Sequence, residues 1–180
     1  MIGFIIFLLL LFSFYNGARR ATALQLVYTV GCILSFFLAM SVYEEWGEKI
    51  ELYVPYLSVT PETEMVYYSQ ELSFDLDKAY YAAVAFIGWL VFGWLLTKLV
   101  LVFVRNLRFK RVLEDDWLVA GILNTVLMYI TILLCLKLLT MLPIDAIQNI
   151  FTRSFTADLI VDKTPFLSNM LDKLWITNIV

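Results

Sequence analysis

Residues 16–43 read NGARRATALQLVYTVGCILSFFLAMSVY: two adjacent arginines, then more than twenty residues without a charge. A helix of about 20 apolar residues crosses the ~30 Å hydrocarbon core of a bilayer. The stretch therefore predicts a membrane span entered from an arginine-marked boundary. Three further runs of the same kind flank it, and together the four predict helices over residues 1–17, 22–43, 80–104 and 117–142. Composition agrees, since 62% hydrophobic against 16% charged residues in a chain of 180 lies outside the range of soluble domains. The runs are continuous, not alternating as in an outer-membrane barrel. The expected fold is all-α and polytopic: a four-helix transmembrane domain over residues 1–142, with a structured outer loop at 44–79, and an amphipathic, interfacial helical tail at 143–180.

The first run is not expected to be a cleaved signal peptide, because its positive charges follow the apolar core instead of preceding it and no small-residue cleavage site closes it. Lys and Arg concentrate in cytoplasmic loops. Arg19 and Arg20 in the 18–21 turn, with Arg105, Arg108, Lys110 and Arg111 in the 105–116 loop, predict that both connections are cytoplasmic. The 44–79 loop carries nine acids against Lys49 and Lys78, and it is expected outside, with both termini on the extracytoplasmic side of the cell membrane. Arg19 and Arg20 then read as a topology determinant or as a docking point for an anionic lipid head group or a protein.

Polar and small residues recur at steps of three and four within the runs: Thr22, Gln25, Thr29, Cys32, Phe36 and Ala39 in the second, and Gly121, Asn124, Met128, Thr131 and Cys135 in the fourth. In the third, Ala82, Ala85, Gly93 and Thr97 fall near one face, with Trp89 among them. Such stripes predict faces that meet other helices, where small residues permit close approach and buried amides find partners. The charges within the runs are Lys98 and Lys137. Each sits near the C-terminal end of its helix, where a lysine can snorkel to the interface, although helical side chains lean the other way, toward the N-terminus. No acid in the runs lies at comparable depth to pair with either. Gln25, Asn124, Lys137 and Lys98 are the candidate functional groups of the interior.

The chain has no histidine, which excludes histidine-based metal sites, nucleophile systems and acid–base catalysis. No glycine-rich phosphate loop is present. The pair Glu44 and Glu45 reads as a solvated acidic face, and Cys32 and Cys135 as small apolar residues. No enzyme activity, cofactor or metal is expected, and the acidic outer loop argues against nucleic acid.

In the tail, Thr164 and Pro165 predict a helix start, as N-cap and first helical residue. Phe166, Leu167, Met170, Leu171, Leu174 and Trp175 would form its apolar face, with Ser168, Asn169, Asp172 and Lys173 opposite. Ile144, Ile147, Phe151 and Phe155 predict one or two short helices before it. Because the helix face holds a single lysine, packing against protein is favoured over electrostatic attachment to lipid.

NGARRATALQLVY between the first two helices, EKIELYVPYLSVTPETE after the second, LDKAYYAAVAF entering the third and DLIVDKTPFLSNMLDKLW near the end occur in an order that resembles the colicin V production protein (CvpA) family in its Gram-positive form. Ala21 and Asn124 depart from it, standing where the family tends to glycine, and both changes would loosen helix approach. The resemblance implies a small inner-membrane protein linked to bacteriocin production or export and to envelope stress tolerance, with no catalytic residues to carry over. Related membrane domains fused to periplasmic serine proteases imply a docking role. The expected function is thus a non-enzymatic scaffold, working among membrane lipids as a homo-oligomer through its striped faces. An oligomeric channel or carrier for small solutes or ions is the alternative. A third reading makes the tail a receptor surface for a membrane or secreted protein partner.

Overall fold

The computed structural model describes residues 2–57, 59–60, 63, 65–104, 106–107 and 116–179. Its long elements are α1 (Ile2–Ala18), α2 (Thr22–Ile50), α4 (Leu76–Phe103) and α5 (Asp116–Thr140). Short helices follow the membrane runs: α3 (Gln70–Ser73), α6 (Asp145–Arg153), α7 (Phe155–Lys163) and α8 (Leu167–Asp172), which passes into a π-helical turn at Lys173–Thr177. Among the described residues every regular element is helical. Arg105, Arg108, Lys110 and Arg111 of the basic loop, and Glu62 and Glu64 of the acidic one, lie outside the described residues.

The predicted boundaries shift in physically readable ways. Helix α2 runs past its apolar run to Ile50, close to the extension to about Leu52 before Pro55 that the sequence allows, and the exposed Glu45–Lys49 pair, 2.6 Å apart, sits at the i,i+4 spacing that supports it. At ~1.5 Å per residue its 29 residues span about 44 Å, more than the hydrocarbon core needs. Helix α4 starts at Leu76, with Asp77 in its first turn where the helix dipole favours an anion. The connection between α2 and α4 is accordingly 51–75, with α3 inside it. Among the described residues three helices, α2, α4 and α5, are long and apolar enough to cross a membrane, and α1 is a shorter apolar helix of 17 residues.

The chain divides into two compact units. One comprises residues 4–41 and 88–132. Its surface is apolar: Phe7, Phe12, Leu34, Phe37, Leu99 and Val102 are each about 60% exposed. Its buried positions include Ser13, Gln25, Ser35, Thr97 and Asn124. A surface of this kind is stable against acyl chains and not against water, which makes the chain a multi-pass membrane protein. Helices α2 and α4 meet through reciprocal small residues. A Cβ on Gly31 would overlap the Thr97 side chain, and one on Gly93 would overlap Ser35.

The other unit comprises residues 1–3, 42–87 and 133–180. It has an ordinary apolar core, in which Tyr43, Leu76, Phe86, Leu133, Met141, Val161, Leu171 and Trp175 are fully buried. Phe86 stacks edge-on against Tyr43 at 6.0 Å and against Trp175 at 5.6 Å. Trp175 Nε1 is buried without a hydrogen-bond partner among the described residues, a cost of about 1–3 kcal/mol that the burial of the large ring system must outweigh.

The tail differs from its predicted form. Thr164 ends α7 instead of capping a new helix. Its hydroxyl donates to the Ile160 carbonyl at 2.6 Å, and Pro165 stops the helix behind it. The chain then turns at Phe166, whose φ of 68° and ψ of −55° place Leu167 N–H 2.8 Å from the Pro165 carbonyl in a three-residue γ-turn. That bend re-aims the helix. Leu171, Leu174 and Trp175 are buried and Leu167 and Met170 half-buried as their spacing predicts, but Phe166 is 78% exposed, and Ser168, placed on the polar face, is buried with its hydroxyl on the Val161 carbonyl. Phe155 is likewise exposed, while Gln148 and Phe151 form the buried face of α6.

Candidate functional site

In the unit of residues 4–41 and 88–132 the polar residues converge on Asn124. Its side-chain amide donates to the Ser13 carbonyl at 2.7 Å and to Ser13 Oγ at 2.8 Å, and its Oδ1 accepts from Gln25 Nε2 at 3.3 Å. Ser13 Oγ in turn donates to the Asn124 carbonyl at 3.0 Å, and Arg20 Nη1 reaches Gln25 Oε1 at 3.4 Å. The amide protons of Asn124 are thus both used, and helices α1, α2 and α5 are tied by one chain of hydrogen bonds. Buried amides in a bilayer demand such partners. Close helix approach is kept beside Asn124, because Gly17 and Gly121 supply it. A Cβ on Gly17 would lie 2.5 Å from the Ala120 carbonyl oxygen and 2.6 Å from Asn124 Cβ, and one on Gly121 would lie 2.7 Å from the Phe14 ring.

The start of α2 is closed by a group that the sequence patterns did not single out. The backbone N–H of Thr22, one of the orphan donors of a helix N-terminus, donates to Asp116 Oδ2 at 3.1 Å, and Thr22 Oγ1 donates to the Asp116 carbonyl at 2.9 Å. A carboxylate here also meets the positive end of the α2 dipole. The available signal was an acid at the edge of an apolar run.

Lys98 does not extend toward the end of α4. Its ammonium lies back over the Trp94 ring at 5.1 Å and over Tyr28 at 4.9 Å. Trp94, one turn earlier, is where the tilt of helical side chains sends it. The stripes hold only in part: Gln25, Gly121 and Asn124 are buried, whereas Thr131 and Cys135 are exposed. Thr131 Oγ1 satisfies itself on the Leu127 carbonyl of its own helix at 2.9 Å and needs no neighbour.

In the unit of residues 1–3, 42–87 and 133–180 the polar groups converge on the C-terminal end of α5. Lys137, 5% exposed, is paired by both oxygens of Asp172 at 2.6 and 2.8 Å. The expectation of a lysine without an acid is therefore corrected. The acid comes from α8, 35 residues on, where the sequence pattern had placed it on a solvated face. The last carbonyls of α5, orphans of the helix end, are each engaged. Thr140 Oγ1 donates to the Lys137 carbonyl at 2.7 Å, so the 2.9 Å contact between Thr140 and Tyr68 is donated by the phenol. Gln148 Nε2 donates to the Thr140 and Leu142 carbonyls at 3.1 and 2.8 Å, its Oε1 accepts from Val66 N–H at 3.1 Å, and Tyr56 donates to the Met141 carbonyl at 2.9 Å. Tyr67 completes the set by donating to Asp158 at 3.0 Å. Burial first, and neighbouring acidic groups second, push the Tyr56 phenol up to about 12; burial likewise raises Tyr68 to about 12. These phenols are fixed as neutral hydrogen-bond donors.

Arg19, just past the end of α1, remains exposed, in contact with Tyr15 of that helix, its guanidinium carbon 5.5 Å from the ring centroid. Among the described residues no three acids or cysteines gather as a metal-binding group.

Comparison with known proteins adds the following. The family model described as colicin V production protein matches residues 2–165. An uncharacterized transmembrane protein of Bacillus subtilis strain 168, YshB, is 28% identical over 179 residues, covering 97% of each chain. No solved structure matches.

Proposed function

The chain belongs to the colicin V production protein family, and from that premise we propose that it is a non-enzymatic scaffold of the cell membrane, serving bacteriocin production or export and envelope homeostasis. The observation that carries this reading is the use of its polar interior. Gln25, Asn124 and Lys137, the groups a solute path would need, are spent on hydrogen bonds and an ion pair that join helices. Residues 42–87 and 133–180 add a folded platform with its own core, suited to holding partners. The scaffold works as a homo-oligomer.

The 44–79 segment and both termini face outside the cell in this reading. Gly3 of α1 packs against Thr156 of α7, so the first helix begins at the same end of the molecule as the tail. In a chain whose Cys32 and Cys135 have been replaced by serine, a cysteine at Thr63 reacts with a membrane-impermeant thiol reagent in intact cells and one at Lys110 does not. The reverse labelling would overturn the orientation.

The second reading, an oligomeric channel or carrier, is favoured by one feature, the lysine Lys98 held inside α4 without a carboxylate partner among the described residues. Solute and ion flux into liposomes decides between the two. The scaffold gives no flux in vesicles where insertion and oligomerisation are verified. Flux that Lys98→Met or Lys137→Met abolishes, with the variant still inserted, would replace the scaffold with a transporter.

A further inference from the structure

Two cations share one aromatic ring in the unit of residues 4–41 and 88–132. The Arg20 guanidinium carbon lies 5.3 Å from the Tyr28 ring centroid, and Lys98 Nζ lies 4.9 Å from the same centroid and 5.1 Å from that of Trp94. The Trp94 indole N–H donates to the Tyr28 hydroxyl at 2.7 Å, which fixes the two rings as one wall. The two charges are therefore no further apart than their ring distances combined. Ion pairs among the described residues are Lys49–Glu45, Lys78–Asp75 and Lys137–Asp172, and none of these includes Arg20 or Lys98.

A cation at this depth without a counter-charge is costly. The ring quadrupoles offset part of the cost, yet two like charges at one ring repel each other. Among the described residues no anion is paired with either cation. The cluster's place in the fold says which kind of anion fits. Lys98 is five residues from the end of α4 at Phe103, about 8 Å along the axis, roughly the thickness of a head-group layer. Tyr and Trp gather at that boundary. Trp94 is 40% exposed, and Leu95, Leu99 and Val102 on the same helix are exposed apolar residues. An anion lodged here has acyl chains beside it.

We propose that Arg20, Tyr28, Trp94 and Lys98 form a binding site for the head-group phosphate of an anionic phospholipid, with the two cations flanking the phosphodiester and the aromatic wall excluding water beside it. Phosphate oxygens accept from guanidinium and ammonium donors. A head group with its own ammonium is disfavoured, since it adds a third cation. The proposal is independent of the scaffold reading, because a transporter could hold the same lipid.

The test uses the full chain, reconstituted in membranes of equal dioleoyl phosphatidylglycerol and dioleoyl phosphatidylcholine and then extracted. Native mass spectrometry gives the ratio of the two lipids retained. The unchanged protein retains phosphatidylglycerol preferentially. Arg20→Gln and Lys98→Gln each lower that ratio about fivefold, the loss expected for one juxtamembrane cation. Lys98→Arg keeps the charge and the ratio, which leaves the proposal testable should the glutamine variants fold poorly. Lys49→Gln and Lys163→Gln, remote in sequence from the cluster, leave the ratio unchanged. Equal retention of both lipids by the unchanged protein would overturn the site. So would losses as large in the Lys49 and Lys163 variants, which would mean unspecific attraction, or a loss in Lys98→Arg. Displacement by millimolar inorganic phosphate would assign the cluster to a soluble anion and overturn the lipid.

Discussion

In the unit of residues 4–41 and 88–132, Ser13, Gln25 and Asn124 are inside and phenylalanines and leucines are outside; in the unit of residues 1–3, 42–87 and 133–180, Tyr43, Phe86 and Trp175 are inside, and Glu45, Lys49, Asp162 and Lys173 are outside. The difference teaches what each solvent rewards. Acyl chains are as apolar as leucine, so burying leucine there gains little, and cohesion rests on hydrogen bonds and glycine contacts. Where water is the competitor, burial of apolar area at ~25 cal/mol per Å² drives packing. One chain uses both materials, and substitutions should fail differently in the two places.

The largest expected effect is at Lys137–Asp172, the ion pair with a buried ammonium within the apolar-core unit. Asp172→Asn leaves a buried ammonium uncompensated and should cost about 3 kcal/mol in the unfolding free energy measured in detergent. Lys137→Met leaves the half-exposed Asp172 to water, so its cost should be nearer 1 kcal/mol. Equal costs would mean that the pair is solvated and the contrast between the units overstated. Next comes Gly17→Val, which drives a side chain into Ala120 and Asn124; about 1–3 kcal/mol is expected, read as the same unfolding shift. Asn124→Ala should cost about 1 kcal/mol, since it strands Gln25 and Ser13. A larger loss would mean that hydrogen bonds contribute more to membrane cohesion than about 1 kcal/mol each.

The smallest effect is with pH. Tyr56 and Tyr68 have folded pKa values near 12, raised from an ordinary value of 10.0. The folded state therefore favours the protonated phenol. The stability this contributes is complete below pH 10 and is lost as pH rises from 10 toward 12. The unfolding midpoint should be flat from pH 8 to 9.5 and then fall, and Tyr68→Phe should shallow the fall. A midpoint insensitive to pH through that window would mean that both phenols are hydrated.

Much of this was readable in the sequence, because a run of twenty apolar residues has few ways to satisfy its backbone other than as a helix in lipid. Gln25 and Asn124 were legible for a related reason, since an amide inside such a run needs a partner at helical spacing. Gly31 with Ser35 and Gly93 with Thr97 carried the same kind of small-residue signal, but only Gly93 and Thr97 had been placed on a contact face. Asp172 was not legible as a partner of Lys137. Periodicity within α8 reports its own two faces, and the bend at Phe166 that turns it toward α5 is set by tertiary packing. The closure of α2 by Asp116 was hidden likewise, being a contact between residues 94 positions apart.

Gln148 sets an order of assembly in time. The Val66 amide finds its acceptor on a side chain 82 residues later, and at roughly 5–20 residues per second of synthesis that is a wait of about 4 to 16 s. During it the segment after α2 has left the ribosome while its last backbone partner is still unmade. The unit containing residues 42–87 therefore closes only after its partners in residues 133–180 are made, and a nascent chain released before residue 148 leaves the Val66 amide without that acceptor.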